Sequence, residues 1–277
     1  MRSIQIQKIL LTVGTAAALV GAAQLGAQVQ ASNDFAARNR LAALSDTTDN
    51  IASRPAYTFK SKADSLSWEH NRKLADRASG FRVVVSLQDK HLWAIVGEDT
   101  VLSAPAAVAK GTTLKFGKNQ QWTFDTPRGP RTVLGKEADP IWQPPEWLYA
   151  ETAAEHDLKL GHVVPGHPIK LDDGRLLAVK DNEVGVIDDG QFAALPTDEH
   201  IVFGNTLYVP PLGTKNRKVE GELGKYRLNL GDGYLLHGTP YQESIGLAAT
   251  HGCVRLRDED IEWLYEHVPV GTKVYIY

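Results

Sequence analysis

The stretch HGTPYQESIGLAATHGCVR, residues 237–255, decides how the rest of the chain can be interpreted. It holds Cys253, the only cysteine of the protein, with His251 and His237 before it. A thiol attacks a carbonyl as the thiolate, and a nearby imidazole can take its proton. Gly252 lets a substrate approach the backbone, whose N–H groups can stabilise an oxyanion. The stretch therefore combines a nucleophile, two candidate bases and a candidate oxyanion hole.

A structural role for these residues has to be weighed against that chemistry. A single cysteine is more often a small buried apolar residue, and a single histidine is more often structural. Two features favour a reactive thiol. Cys253 lies in a polar, glycine-containing loop, and the pair His-Gly occurs twice, at 237–238 and at 251–252.

The same residues fall in the order of a known signature. His237-Gly238-Thr239 comes first, Ser244-Ile245-Gly246 follows, and the stretch ends Thr250-His251-Gly252-Cys253-Val254-Arg255. This resembles the L,D-transpeptidase (YkuD-type) catalytic domain: His-Gly-Thr, a spacer with a glycine, then Ser or Thr, His-Gly-Cys, a hydrophobic residue, and Arg or Asn. Every element is present at the expected spacing, and Thr in place of the commoner Ser keeps the hydroxyl. The resemblance is strongest over residues 221–277.

The resemblance implies a role for each residue of the catalytic group. Cys253 is expected to be the nucleophile and His237 the general base, which later acts as the acid for the leaving amine. Gly238 is expected to orient His237 through its backbone carbonyl. His251 and Gly252 are expected, together with Cys253, to place the amides of the oxyanion hole.

A second group is expected to contact substrate. Thr250 and Thr239 belong to it by their place in the signature. Arg255 is expected to bind a stem-peptide carboxylate with its bidentate guanidinium. The alternative for Arg255 is a structural ion pair with the acidic run 258–260.

What the resemblance implies for function is acyl transfer on peptidoglycan stem peptides, in cell wall biogenesis and the maintenance of cell shape. The thiolate attacks the carbonyl between an L-centre and the next D-residue, D-Ala leaves, and a thioester forms. An acceptor amine then takes the acyl group and completes a 3→3 cross-link. Inhibitors of the carbapenem type are expected to acylate the thiol.

Two other functions stay open at this point. Water could resolve the same thioester, which would make the protein an L,D-carboxypeptidase or endopeptidase. The chain could also be a non-catalytic wall-binding module. A papain-like protease fits less well, because its cysteine precedes its histidine in the sequence.

The N-terminus has the pattern of a secretory signal peptide over residues 1–31. Arg2 and Lys8 precede an apolar run from Ile9 to Ala23, and small or polar residues follow as far as Ala31. The alternative is an uncleaved membrane anchor, but the run is shorter than the ~20 residues that span a bilayer. We therefore predict export to the periplasm or cell wall, with membrane contact only through this signal. The net charge of −3 gives no reason to expect nucleic-acid binding.

The remaining chain predicts a mainly β fold. Beyond a lead-in over 32–79 with a short helix at Phe35–Leu44, we expect a catalytic domain over 80–277. The domain is expected to be a YkuD-like β-sandwich of mixed sheets with one or two helices, and an inserted β-hairpin subdomain at about 159–210. The β-branched run 82–87 indicates the first strand, and Asp-Gly turns at 173–174 and 189–190 indicate hairpins in the insertion.

Other local patterns make narrower predictions. Residues 62–78 are read as a helix or a linker, and 234–236 as a strand that delivers His237 at its end. Asp258 is a candidate N-cap for a helix whose apolar residues include Ile261 and Leu264. The insertion and its surroundings also hold four histidines whose spacing matches no common zinc pattern, so we predict no metal and no cofactor. These are His156, His162, His167 and His200.

Overall fold

The computed structural model describes residues 57–277. The predicted signal peptide (1–31), a predicted short helix at Phe35–Leu44 and most of the lead-in lie outside the described residues. Within the described part of the chain, no helix is long and apolar enough to cross a membrane.

Twenty strands, three α-helices and two short 3-10 helices, Lys215–Arg217 and Gln242–Ser244, make up the regular structure of residues 57–277. The helices are α1 (Lys62–Arg77), α2 (Glu146–Glu155) and α3 (Asp258–His267). The strands are β1 (Phe81–Ser86), β2 (His91–Val96), β3 (Asp99–Pro105), β4 (Val108–Ala109), β5 (Thr113–Phe116), β6 (Gln120–Thr123), β7 (Gly129–Thr132), β8 (Gly135–Ala138), β9 (Lys159–His162), β10 (Ile169–Lys170), β11 (Leu176–Lys180), β12 (Glu183–Asp188), β13 (Gln191–Ala194), β14 (Ile201–Phe203), β15 (Thr206–Val209), β16 (Tyr226–Asn229), β17 (Leu235–His237), β18 (Ala248–Thr250), β19 (Val254–Arg255) and β20 (Lys273–Ile276). The prediction of a mainly β fold is confirmed.

The described residues form two compact units. The smaller unit comprises Thr113–Trp122 and Ile141–Glu220, and the larger unit comprises 57–112, Thr123–Pro140 and Gly221–Tyr277. The predicted insertion, 159–210, lies inside the smaller unit. That unit also includes residues on both sides of the insertion and a separate hairpin, β5 and β6.

A five-stranded mixed sheet forms one side of the larger unit, in the order β3-β2-β1-β20-β7. Strands β1, β2 and β3 are antiparallel neighbours, as their closely spaced turns predict. The last strand of the chain, β20, runs parallel to β1, with Val274 opposite Val83. A central strand is covered on both faces, which explains why the β-branched residues of β1 are buried without alternation.

A second sheet, in the order β19-β17-β16-β8, carries residues of the signature on β19 and β17 at its edge. Side chains from both sheets and from α3 form one apolar core in the larger unit. Its fully buried members include Val83, Leu228, Leu236, Leu256 and Leu264. Strand β17 ends at His237, as predicted, so the buried Leu236 anchors the histidine that follows it.

The predicted N-cap of α3 is wrong by one residue. Arg257 occupies the cap position with extended backbone angles, and Asp258 is the first helical residue. The Asp258 carboxylate accepts a hydrogen bond from the Thr239 backbone N–H instead, while burial raises the pKa of this carboxyl. The Asp258 side chain therefore makes a tertiary hydrogen bond to Thr239 in place of the helix-capping hydrogen bond that the local sequence predicted.

Helix α1 settles whether residues 62–78 are a helix or a linker. Ser61 caps the helix by accepting from the Asp64 N–H at 3.1 Å. The Trp68 ring meets the edge of Tyr277 with centroids 6.1 Å apart, and Asn71 and Ala75 are buried. The helix therefore belongs to the larger unit rather than to a free linker.

The smaller unit contains the two hairpins that the Asp-Gly turns predict, β10–β11 and β12–β13. Arg217 connects several segments of this unit: it is buried and donates to the carbonyls of Pro144 and Pro210 at 2.6 and 2.5 Å. The guanidinium also lies 4.7 Å from the centroid of the Tyr149 ring. Within residues 57–277, no group of three or more His, Cys, Asp or Glu side chains is placed to hold a metal.

The core of the larger unit leads to a stability prediction. Leu264→Ala in α3 should lower the free energy of unfolding by about 2–5 kcal/mol, because it leaves a cavity where the leucine is fully buried. Leu66→Ala in α1 is the matched control, since Leu66 is 55% exposed and should change stability by less than about 0.5 kcal/mol. Denaturant unfolding measures both, and equal effects would contradict this description of the core.

Candidate active site

Parallel pairing of β17 with β19 brings the two halves of the signature together. His237 lies opposite Arg255, and Leu236 lies opposite Val254. Cys253 directly precedes β19, so the cysteine turn meets the end of the strand that carries the histidine. Leu236 and Val254 point into the core, and residues opposite one another on neighbouring strands share a face. His237 and Arg255 therefore point together to the other side of the sheet.

The segment 107–110 supports the cysteine turn from its other flank. The backbones of Ala107 and Arg255 exchange two hydrogen bonds, of 2.9 and 3.0 Å. Val108 pairs with Ala248, and the Lys110 N–H donates to the Thr250 carbonyl at 2.8 Å. The turn is thus held by backbone pairing both before and after Cys253.

Hydroxyl groups shape the turn itself. The Thr250 hydroxyl donates to the Cys253 carbonyl at 2.6 Å and accepts from the Gly252 N–H at 3.2 Å. The Thr126 hydroxyl donates to the Gly252 carbonyl at 2.9 Å. Gly252 has φ +143°, and a Cβ there would lie 3.0 Å from the Tyr234 ring. Only glycine suits this position, and its N–H is already engaged within the turn.

His237 is almost completely buried, and its protonation state follows from its surroundings. Its Nδ1 lies 2.6 Å from the Gly238 carbonyl oxygen, which can only accept a hydrogen bond. The Gly238 contact favours a hydrogen on Nδ1 in the neutral ring, and the Leu223 backbone is a second hydrogen-bond partner of the imidazole. Burial lowers the pKa of His237 to about 4, and the nearby charge of Arg255 adds to that shift. The predicted orienting role of Gly238 thus has a matching hydrogen bond.

The Cys253 thiol is in a protonated resting state. Sγ lies 3.8 Å from the Gly233 carbonyl, which can accept the thiol hydrogen. Although part of the residue remains accessible, the surrounding protein raises the pKa of the thiol. A backbone hydrogen bond at Leu235 and the charge of Arg255 act in the opposite direction. Both candidate catalytic groups are therefore neutral at neutral pH.

Arg255 sits in a pocket of aromatic and acidic groups. Its guanidinium lies 5.6 Å from the centroid of the Tyr241 ring, and the Tyr241 hydroxyl donates to Glu222 at 3.1 Å. Burial raises the pKa of Glu222, while Tyr241 and Arg255 favour its charged form. Among the described residues, the buried Nε of Arg255 has no hydrogen-bond partner.

The two threonines expected to contact substrate face the protein interior. Thr239 is fully buried, and its hydroxyl accepts from the Tyr241 N–H at 3.1 Å. Thr250 is 1% exposed and its hydroxyl is occupied within the turn, as described above. Their contacts shape the loops around His237 and Cys253.

His251 has a neighbour that sequence reasoning did not find. The Lys110 Nζ lies 3.0 Å from the His251 Nε2, across 141 residues of sequence. Phe124 meets the His251 ring edge-on, with centroids 4.5 Å apart. Glu222, Tyr241 and Thr126 were also missed. Tyr241 lies within the stretch 237–255 without being an element of the signature, and only the folded chain brings Glu222 and Thr126 to it.

Comparison with known proteins extends the resemblance beyond the signature. The family model described as the L,D-transpeptidase catalytic domain, YkuD, matches residues 80–276. "Probable L,D-transpeptidase YbiS" of Escherichia coli (strain K12) is 50% identical over 66 residues, which is 24% of this chain and 20% of that protein. "Putative L,D-transpeptidase YkuD" of Bacillus subtilis (strain 168) is 37% identical over 82 residues, 27% of this chain and 50% of that protein. The matched segment thus spans a fifth to a half of these relatives.

Among solved structures, the L,D-transpeptidase from Xylanimonas cellulosilytica (residues 123–326) has a TM-score of 0.38 and 18% identity. It covers 73% of this chain, and the match covers 62% of that chain. The family model covers well over half of the chain, including both strands of the signature and the cysteine turn between them. The chain belongs to the L,D-transpeptidase (YkuD) catalytic domain family.

Proposed function

We propose that this chain is an exported, cysteine-dependent L,D-transpeptidase that acts on peptidoglycan tetrapeptide stems in cell wall remodelling. The observation that carries the proposal is the pairing of β17 with β19, which sets a neutral histidine beside the turn of the only cysteine. Family membership supports the reaction class, and export follows from the predicted signal peptide over 1–31. The domain assignment 80–277, with its insertion at 159–210, is part of the same proposal.

The first half-reaction is acylation of Cys253. The thiol turns from the Gly233 carbonyl towards the scissile carbonyl, and the lone pair on His237 Nε2 takes its proton as the C–S bond forms. Backbone N–H groups of the turn stabilise the oxyanion, apart from the Gly252 N–H, which the Thr250 hydroxyl already engages. The C–N bond to D-Ala then breaks, His237 returns the proton to the leaving amine, and a thioester remains.

The second half-reaction transfers the acyl group. An acceptor amine, on a second stem or on a protein, attacks the thioester carbonyl and loses its proton to His237. The C–S bond breaks, and the sulfur recovers the proton. If water takes the place of the amine, the same site acts as an L,D-carboxypeptidase or endopeptidase, so the acceptor decides between the two activities.

The neutral resting state of His237 and Cys253 determines when the proton moves in this mechanism. A thiolate–imidazolium pair would be stable only if the pKa of His237 exceeded that of Cys253. Burial lowers the pKa of His237 and raises the pKa of Cys253, so it disfavours the charged form of both groups. Proton transfer therefore accompanies attack on the bound substrate. The lowered pKa keeps His237 competent as a base in mildly acidic surroundings, and the raised pKa of Cys253 limits side reactions of the free thiol.

Product analysis tests the proposed reaction. Incubation with a purified disaccharide-tetrapeptide should yield a cross-linked dimer that has lost one D-Ala, detected by mass spectrometry, and Cys253→Ala should yield none. Tripeptide alone would assign the hydrolase activity instead. Unchanged substrate with the unmodified protein, together with no adduct on Cys253 from a carbapenem, would favour the non-catalytic wall-binding module.

The assignment of the base predicts both a mutant effect and a pH profile. His237→Ala should abolish acylation of Cys253 by a carbapenem, followed by intact mass. Because the base is the neutral ring and its pKa is about 4, acylation by the unmodified protein should persist at pH 5 to 6 and fall only as the pH approaches 4. An ordinary histidine would already be mostly protonated at about pH 5.5.

The opposite pattern would overturn this assignment. If His251→Ala abolished acylation while His237→Ala remained active, His251 would be the base. A rate that halves near the ordinary histidine pKa of roughly 6.5 would contradict the buried, neutral His237. Circular dichroism of each variant separates loss of chemistry from loss of fold.

The proposed role of Arg255 in binding a stem carboxylate can be measured with two donors. The unmodified protein should process a tetrapeptide with a free terminal carboxylate at least about tenfold more efficiently than its amide, as expected for a charge-assisted hydrogen bond. In Arg255→Met the two donors should be processed equally. If the preference for the free carboxylate survived in Arg255→Met, Arg255 would not be its binding group.

A further inference from the structure

Lys110 contacts the cysteine turn twice. Its backbone N–H donates to the Thr250 carbonyl, and its side-chain Nζ lies 3.0 Å from the Nε2 of His251, the next residue. The first contact fixes the position of the lysine backbone, and the second fixes the position of its ammonium group. Lys110 therefore holds both the backbone of Thr250 and the side chain of His251, the two residues that precede Gly252 and Cys253.

The chemistry of the two groups determines the direction of the hydrogen bond. An ammonium group has three donors and no acceptor, so the lysine donates and the His251 Nε2 accepts. A neutral imidazole with a lone pair on Nε2 carries its hydrogen on Nδ1. Protonation of Nε2 would place two cations in contact at this distance, which is unfavourable. His251 is thereby prevented from using Nε2 to take the thiol proton.

An aromatic ring completes the arrangement. The Phe124 ring meets His251 edge-on, and the Lys110 Nζ lies 4.9 Å from the centroid of the same ring. A cation over an aromatic face is attracted by the ring quadrupole. Phe124 therefore steadies both partners of the hydrogen bond, and the three side chains form one cluster behind the cysteine turn.

We infer that Lys110 is a positioning residue, whose ammonium group holds His251 as the neutral ring protonated on Nδ1 and so leaves His237 as the only base for Cys253. Sequence patterns offer two histidines for that role, and the Lys110 contact distinguishes them. The kinetic part of this inference rests on the proposed function. The tautomer of His251 does not, because it can be observed without any reaction.

Nitrogen-15 NMR of histidine-labelled protein tests the tautomer directly. His251 should show a protonated Nδ1 and an unprotonated Nε2, with its resonances assigned by comparison with His251→Gln. Lys110→Met should move these shifts towards the other tautomer, whereas Lys110→Arg, which still donates, should keep them. Lys90→Met is the matched control, since Lys90 lines the same cleft of about 660 Å³ as Lys110 and should leave His251 unchanged.

The rate of carbapenem acylation provides the second readout. It should fall about tenfold in Lys110→Met, as expected for loss of one hydrogen bond from a charged group, and recover in Lys110→Arg. Lys90→Met should match the unmodified protein.

Two results would overturn the inference. One is a His251 ring protonated on Nε2 in the unmodified protein. The other is a Lys110→Met spectrum and rate identical to those of Lys90→Met. If Lys110→Met does not fold by thermal melting, the unmodified protein and Lys110→Arg still decide the tautomer. If no variant is acylated, the proposed function fails, while the NMR result still decides the role of Lys110.

Discussion

The arrangement of this site depends on the parallel pairing of two very short strands, β17 and β19. His237 is the last residue of one strand, and Cys253 comes immediately before the other. Parallel neighbours need a connection that leaves the sheet and returns, and here the loop between His237 and Cys253 makes that crossing. The buried pair Leu236 and Val254 anchors both strands to the core, so apolar packing fixes the positions of the adjacent His237 and Cys253.

Close backbone contacts give the site its geometry. Gly224 has φ +66°, and a Cβ there would lie 2.7 Å from the backbone of Gly238, the residue whose carbonyl orients His237. Gly252 is equally restricted on the cysteine side. A side chain at Gly224 would collide with the Gly238 backbone, and a side chain at Gly252 would press against the Tyr234 ring. Precise placement of a base and a nucleophile on rigid elements is what such contacts achieve.

The electrostatics of the site favour neutral groups. Burial works against charge on both His237 and Cys253, and Arg255 opposes a positive His237 while favouring a thiolate. The other cation near the turn, Lys110, is engaged with His251. The charge of Arg227 also acts on His237, so the protein surrounds a neutral thiol and a neutral base with fixed positive charges. This is an arrangement suited to negative charge that develops only during reaction.

The sequence by itself determined the family, the mainly β fold class, both hairpins with Asp-Gly turns and the strand that ends at His237, while it left residues 62–78 open between a helix and a linker. Each of these depends on local patterns, such as β-branched runs, turn dipeptides and the spacing of a signature. Only the tertiary structure decided the hydrogen bonds of His237, the engagement of the Gly252 N–H, the interior contacts of Thr239 and Thr250, and the cap of α3. Most of those outcomes are hydrogen bonds between near neighbours whose loop geometry and burial are set by the packing of the whole unit. The contact of Lys110 with His251 joins residues 141 apart, and no local pattern encodes it either.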